Sequence, residues 1–139
     1  MKFLHLNFLP RSANLALLGL RVWFGGSLLA LHGWGKLTGF SAMSSKFADP
    51  FGLGSMPSLV LATFAELVCA GLIVLGLFTR TAALIAALNM AVAFAFAHKG
   101  RLMGTGNGEL AFLYLGAFVA LFLVGAGKFS VDANIGAKT

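Results

Sequence analysis

The stretch that decides the fold is SLVLATFAELVCAGLIVLGLF, residues 58–78, in which Glu66 is the only formally charged side chain. About 20 apolar residues in an α-helix rise about 30 Å, which matches the thickness of the hydrocarbon core of a bilayer. The stretch therefore predicts a membrane-spanning helix with an acid inside it. Because a carboxylate in lipid costs roughly a few kcal/mol or more, we expect the other helices to give Glu66 a partner, a cavity or a proton path.

The composition agrees with a membrane protein. The chain is 59% hydrophobic and 10% charged, with a mean hydropathy of +0.92, whereas a soluble domain is about 25% charged. The net charge of +6 comes from Lys and Arg residues scattered near the ends of apolar runs, which is typical of the flanks of membrane helices and argues against a nucleic-acid partner. The single cysteine, Cys69, excludes an internal disulfide and a CxxC redox pair, and no metal cluster is predicted.

Four apolar runs predict an all-α integral membrane protein whose single domain, residues 1–139, is an antiparallel bundle of four transmembrane helices. The predicted spans are residues 14–34, 58–78, 82–97 and 109–126. A basic N-terminus before an apolar run also fits a secretory signal, but the first run is long and contains Arg21, so we expect it to be retained. The connection 37–57 contains Pro and Gly breakers between aromatic residues, and we expect an interfacial helix or flap on the membrane surface.

Basic residues near the helix ends predict the orientation. Four spans place both termini on one side, which carries Lys2, Arg11, Arg80, Lys128 and Lys138, while the other side carries Lys36, Lys46, Lys99 and Arg101. Five basic residues on the side of the termini, against four on the other side, favour termini in the cytoplasm.

Polar residues of the first run share one helical face. Residues at three- and four-residue spacing place Arg21, His32 and Lys36 along one stripe. Counted from opposite ends of their spans, Arg21 and Glu66 approach the mid-membrane with levels about 8 Å apart at about 1.5 Å per residue. We therefore predict a buried Arg21–Glu66 ion pair. The polar rim predicted at the end opposite the termini consists of His32, Lys36, His98, Lys99, Arg101 and Glu109.

An ordered set of segments resembles the DoxX family. The segments are RVWFGGSLLALHGWGKL at 21–37, AELVCAGLIVLGLFTRTAAL at 65–84, His98 ending the third run, Glu109 opening the fourth, and GAGKFSVD at 125–132. The resemblance covers residues 14–132 and implies a small four-span bundle in a bacterial cytoplasmic (inner) membrane. Members of that family are related to subunits of thiosulfate:quinone oxidoreductases or linked to quinone stress and membrane oxidoreductase complexes. The positions that match the family's recurring polar residues are Arg21, Lys36, Glu66, Arg80, His98, Glu109 and Asp132.

The functional hypothesis is a quinone-interacting subunit of a membrane oxidoreductase system. In it Glu66 is the acid that exchanges protons with quinone, Arg21 holds Glu66 and one quinone oxygen, and His98 with Glu109 relays protons. We expect Arg21, His32, Lys36 and Glu66 to form the quinone-binding site. Electrons come from a soluble or membrane redox partner, and whether the chain catalyses a reaction by itself is left open.

Simpler interpretations stand beside this hypothesis. The Arg21–Glu66 pair also fits a structural role in helix register, and Glu109 fits a charge that complements its helix dipole. His32 and His98 also fit haem ligation or an interfacial location. As a whole, the chain also fits a non-catalytic scaffold or receptor for a partner protein, or a small proton-coupled transporter, which would need a homo-oligomer.

Overall fold

The computed structural model of the protein describes residues 12–136, which form helices and connecting segments without any β-strand. The long helices are α1 (Ala13–Thr38), α3 (Ser55–Leu75), α4 (Thr79–Ala97) and α5 (Glu109–Val124). The single-turn helices are α2 (Phe40–Met43) and α6 (Val131–Asn134). The prediction of an all-α fold is therefore confirmed for this part of the chain. The basic residues predicted to flank the first span, Lys2 and Arg11, lie outside the described residues, as does Lys138.

Three of the long helices, α1, α3 and α4, are long and apolar enough to cross a membrane. α5 has 16 residues and is about 24 Å long at about 1.5 Å per residue, less than the roughly 30 Å of a hydrocarbon core. Its sequence, ELAFLYLGAFVALFLV, is almost wholly apolar. Three spans are thus supported by length and composition, while the fourth span and the bundle of four spans stay predictions.

The helices define two ends of the molecule. At the turn end, residues 76–78 join α3 to α4, and at the loop end lie the connections 39–54 and 98–108. Both ends of the described chain meet at the turn end. There the backbone N–H of Asp132 donates to the Gly76 carbonyl at 2.8 Å, and the N–H of Lys128 donates to Asn14 Oδ1 at 2.8 Å.

The long helices pack in sequence, α1 on α3, α3 on α4 and α4 on α5, and α5 also contacts α1. The most extensive of these interfaces joins α4 to α5. Small buried residues occur on both helices, including Ala82, Ala83, Ala86 and Ala111. Small side chains let membrane helices approach closely, which explains why α4 is rich in alanine.

Several turns of the long helices are π-helical, and they occupy Arg21–Gly25, Leu29–Gly33, Phe64–Cys69 and Ala93–Ala97. A π turn holds an extra residue and is found frequently at functional sites. Two of these segments, Leu29–Gly33 in α1 and Phe64–Cys69 in α3, pack against each other. Their interface contains Glu66.

The first helix is longer than predicted. α1 continues to Thr38 instead of ending at residue 34, so Lys36 lies within the helix. The connection then contains α2, and α3 begins at Ser55 with Pro57 in its first turn, where proline is well tolerated. The location of residues 37–57 on the membrane surface stays a prediction.

Candidate functional site

The carboxylate of Glu66 is buried between three helices, with 5% of the residue exposed. Its Oε2 contacts Nζ of Lys36 from α1, and its Oε1 accepts a hydrogen bond from Asn89 Nδ2 of α4 at 3.1 Å. Among residues 12–136, Lys36–Glu66 is the one ion pair within 4 Å. Because an ionised carboxylate accepts only and an ammonium donates only, both oxygens of Glu66 have a matched donor.

The backbone of α1 comes very close to Glu66 at Gly33. A methyl group on the Gly33 Cα would lie 2.6 Å from the carbonyl carbon of Glu66 and 2.8 Å from the nitrogen of Leu67. Only glycine fits there without displacing a helix. This contact fixes the register of α1 against α3 and brings Lys36, one turn further along, to the carboxylate.

The prediction of an Arg21–Glu66 ion pair is wrong, because Glu66 pairs with Lys36. Gly33 faces Glu66, and Gly33 follows Arg21 by twelve residues of α1, which is about 18 Å along the helix at about 1.5 Å per residue. The level difference is therefore about twice the predicted 8 Å, beyond the reach of an Arg side chain. The sequence-based estimate counted from the predicted starts of the two spans, residues 14 and 58, whereas α3 begins at Ser55 and the contact at Gly33 sets the offset of α1 against it.

Arg21 instead belongs to a polar cluster at the turn end. Its side chain is fully buried, its Nη2 donates to the Phe129 carbonyl, and its guanidinium fills the space beside Gly76. Gly76 has φ 71°, a conformation that favours glycine. The negative charge of Asp132 interacts favourably with the positive charge of Arg21. The Asp132 carboxylate also accepts hydrogen bonds from the N–H groups of Phe78 (2.8 Å) and Thr79 (3.0 Å). The cluster thus joins α1, the start of α4 and the C-terminal segment.

A cavity of about 1020 Å³ opens beside Glu66 toward the loop end. Most of its wall is apolar and comes from all four long helices and residues 47–51. Its polar lining includes His32, Lys36, Glu66, Asn89, His98 and Tyr114. Ligand pockets typically measure about 300–1,000 Å³ and combine apolar walls with a few polar groups, so this cavity is the candidate site.

Two aromatic rings from α1 and α5 meet at the cavity wall. The ring of His32 contacts the ring of Tyr114 edge to face, with centroids 5.9 Å apart. The hydroxyl of Tyr114 donates to Ser27 Oγ at 2.8 Å, and Ser27 Oγ donates to the Trp23 carbonyl at 2.6 Å. The hydrogen-bond chain orients Tyr114 and holds α5 against α1.

His98 and Glu109 lie at the loop end in different environments. His98 lines the cavity, and its Nδ1 lies 3.0 Å from the Gly106 carbonyl. Since a carbonyl only accepts, Nδ1 carries the proton of this hydrogen bond and Nε2 remains available as an acceptor in the neutral ring. Glu109 is exposed at the first turn of α5 and does not line the cavity. The structure therefore brings His32, Lys36, Glu66 and His98 to one cavity, but not Arg21 or Glu109.

The connection over the cavity is held by Asp49. Its carboxylate accepts from the N–H groups of Leu53 (2.9 Å) and Gly54 (2.7 Å) and from the hydroxyl of Ser58 (2.9 Å). The Gly54 N–H is the main cause of a lowered Asp49 pKa, which partial desolvation opposes and the Ser58 hydroxyl reinforces. Next to it, Phe51 contacts Phe96 of α4 with ring centroids 5.6 Å apart. Residues 47–51 therefore form an ordered cover.

The remaining candidate groups are separate from this site. Cys69 is buried in the apolar core. Within residues 12–136, His, Cys, Asp and Glu do not gather in a group of three or more that could hold a metal ion. His32 and His98 both line the cavity.

Sequence reasoning missed Asn89, Gly33 and Asp49. Asn89 is the only side-chain amide in the apolar run 82–97, and its isolation in that run is a signal that could have paired it with Glu66. Gly33 lies in the run HGWGK with Gly35, and nothing in the sequence tells which glycine meets another helix. The contacts of Asp49 depend on the turn at residues 52–54, and the sequence alone does not predict them.

Long apolar helices with a buried charged pair define the class of the protein, which is an integral membrane protein of the all-helical type. The sequence model of the DoxX family matches residues 16–99, and the chain belongs to the DoxX family. An uncharacterized protein of Haemophilus influenzae is 37% identical over 110 residues, which cover 76% of this chain and 80% of the relative. No solved structure matches the chain significantly. The match includes Arg21, Lys36, Glu66 and His98 and ends before Glu109 and Asp132.

Proposed function

We propose that the protein is a quinone-binding subunit of a membrane oxidoreductase system. The observation that carries the proposal is the Lys36–Glu66–Asn89 cluster in the wall of an otherwise largely apolar cavity. A quinone has the matching chemistry, because its ring is apolar and its two carbonyl oxygens accept hydrogen bonds. The bacterial cytoplasmic membrane, with the turn end toward the cytoplasm, is part of this proposal.

The proposed headgroup contacts follow from the donors present. Lys36 Nζ and Asn89 Nδ2 both lie against Glu66 and both carry more than one N–H. Each can keep its bond to Glu66 and offer a second N–H to a quinone carbonyl. Lys36 thus takes the role that the sequence suggested for Arg21, and the proposal gives Arg21 no contact with the ligand.

Reduction of a quinone to a quinol consumes two electrons and two protons. In the proposal a partner redox protein supplies the two electrons. Glu66 takes up each of the two protons from solvent in turn and passes it to a carbonyl oxygen as the negative charge develops there. His98 lies at the loop end of the same cavity, with its Nε2 available to pass protons from solvent. Glu109 is exposed outside the cavity and has no part in this route.

Quinone binding by the purified protein in lipid nanodiscs tests the proposal. We expect the wild-type protein to bind quinone stoichiometrically. Glu66→Gln should weaken binding about tenfold or more, because it removes the charge that positions Lys36 Nζ and Asn89 Nδ2, and a hydrogen bond from a charged donor contributes about 1.5–3 kcal/mol. Glu109→Gln is the matched control, the same chemical change outside the cavity, and should leave the affinity unchanged. Absence of quinone binding, or equal affinity of wild type and Glu66→Gln, would overturn the proposal.

A further inference from the structure

One side of the cavity is formed by residues that also face outward. Leu61 and Phe64 of α3 and Leu88 and Phe96 of α4 line the cavity, yet each is between 45% and 59% exposed. Exposed apolar side chains on membrane-spanning helices face lipid. The same four residues therefore border both the cavity and the hydrocarbon of the bilayer.

The packing of α3 and α4 explains this opening. The two helices are joined by the short turn at residues 76–78 and pack closely near it, through Phe64–Cys69 and Ala70–Leu75 of α3 against Thr79–Val92 of α4. Toward the loop end, Ser55–Thr63 and Ala93–Ala97 have hardly any contact. The pair thus diverges with distance from the turn and leaves a gap beside the cavity.

Residues of the connection 39–54 cover the cavity at the loop end. Four residues of this connection line the cavity, namely Phe47, Ala48, Pro50 and Phe51. Phe51 also contacts Phe96 of α4 beside the gap. The hydrogen bonds of Asp49 hold this cover to the start of α3. A water-soluble ligand would have to pass the cover, whereas a ligand dissolved in the bilayer meets an apolar opening.

We propose that the gap between α3 and α4 is a lateral portal, through which a membrane quinone enters and in which its isoprenoid tail remains. This inference rests on the proposed function and specifies its substrate class as long-tailed, lipid-soluble quinones. The headgroup lies at Lys36 and Glu66, and the tail passes between Leu61 and Leu88 into the lipid. The cavity supports this placement because its polar groups are few, while Leu, Phe and Ala side chains provide the apolar wall toward the gap.

The test compares two quinones that share a headgroup, one with a long isoprenoid tail and one with a methyl group in its place. The portal variant is Leu61→Trp/Leu88→Trp, which fills the gap with larger side chains. Its control is Val60→Trp/Leu84→Trp, which adds the same groups to exposed positions of the same helices outside the cavity. The affinity for both quinones is measured in nanodiscs, and each variant is compared with wild type for the same quinone. Partition of that quinone into the lipid is the same in both samples and cancels in the ratio.

We expect the portal variant to weaken binding of the long-tailed quinone about tenfold or more and to change binding of the short one less than about twofold, with the control variant unchanged for both. Equal effects on the two ligands, or no effect on either, would overturn the portal. In that case Glu66→Gln would still weaken both quinones and the proposed function would stand. If wild type binds neither quinone, the proposed function fails and the portal fails with it. A melting temperature equal to that of the control variant establishes that the portal variant is folded.

Discussion

The Cα of Gly33 lies so close to the backbone of Glu66 that no side chain fits between them. This contact sets the register of α1 on α3 and brings Lys36 to the Glu66 carboxylate. A methyl group at residue 33 must push the helices apart, and this displacement separates the charged pair as well. The stability of the helix pair and the geometry of the candidate site therefore depend on the same glycine.

Gly33→Ala should destabilise the protein by about 1–3 kcal/mol, the usual cost of extra volume in a packed interface. The measurement is the free energy of unfolding in detergent micelles. Gly35→Ala is the control, since a methyl group there meets no atom within 4 Å, and alanine is at least as good a helix former. Equal stability of the two variants would contradict the close contact at residue 33.

A double-mutant cycle should identify the partner of Glu66. Lys36→Met and Glu66→Gln should be non-additive by about 0.5–3 kcal/mol, because they remove two halves of one contact. The changes in the free energy of unfolding caused by Arg21→Gln and Glu66→Gln should be additive within about 0.5 kcal/mol, because the two residues share no contact. Unfolding free energies of single and double variants provide both numbers, and a coupled Arg21–Glu66 cycle would refute the assignment.

Asp132→Ala should destabilise the start of α4. The carboxylate accepts hydrogen bonds from the N–H groups of Phe78 and Thr79 and faces the positive end of the helix dipole. We expect the variant to lose about 1–3 kcal/mol of unfolding free energy, because two donors become unpaired. Hydrogen exchange of those two amides should accelerate. Asn134→Ala, in the same short helix but at an exposed position, serves as the comparison and should leave both amides protected.

The cover over the cavity should respond to pH through Asp49. Its folded-state pKa is lowered, chiefly by the Gly54 N–H, so ionised Asp49 stabilises the cover at pH values above its unfolded pKa of about 3.9. That contribution is lost as the pH falls through the lower folded-state pKa. The NMR signal of the Gly54 amide should therefore keep its hydrogen-bonded shift to below pH 3.9 and change only under more acidic conditions.

Asp49→Asn is the control for this titration, because an amide has no carboxylate to protonate and its Gly54 signal should show no such step. A step in the wild-type protein at or above pH 3.9 would contradict a lowered pKa.

The acid inside the second apolar run could be predicted from sequence, but its partner could not. A charge in an apolar run is visible, and so is the face shared by Arg21, His32 and Lys36. The level of each residue depends on where its helix begins and on the offset between helices. The start of α3 at Ser55 instead of residue 58 alone changes the depth counted for Glu66 by several ångströms. A close approach such as that at Gly33 determines the offset and has no local signature.

The roles of Asp132 and Asn89 were hidden for a related reason. Asp132 caps a helix that begins 53 residues earlier, and Asn89 reaches a carboxylate 23 residues away. Contacts of this range arise from tertiary packing, whereas a sequence pattern reports local structure. The fold class was readable because hydrophobic run length is local.

The guanidinium of Arg21 obtains a backbone acceptor from Phe129, 108 residues further along the chain. Synthesis proceeds from the N-terminus, so α1 enters the membrane long before Phe129 has left the ribosome. During that interval the buried charge lacks its final acceptor, and Asp132 does not yet cap α4. Docking of residues 129–132 at the turn end must therefore follow the synthesis of all four long helices, and a chain that terminates before Phe129 contains these helices but leaves this arginine without its final acceptor.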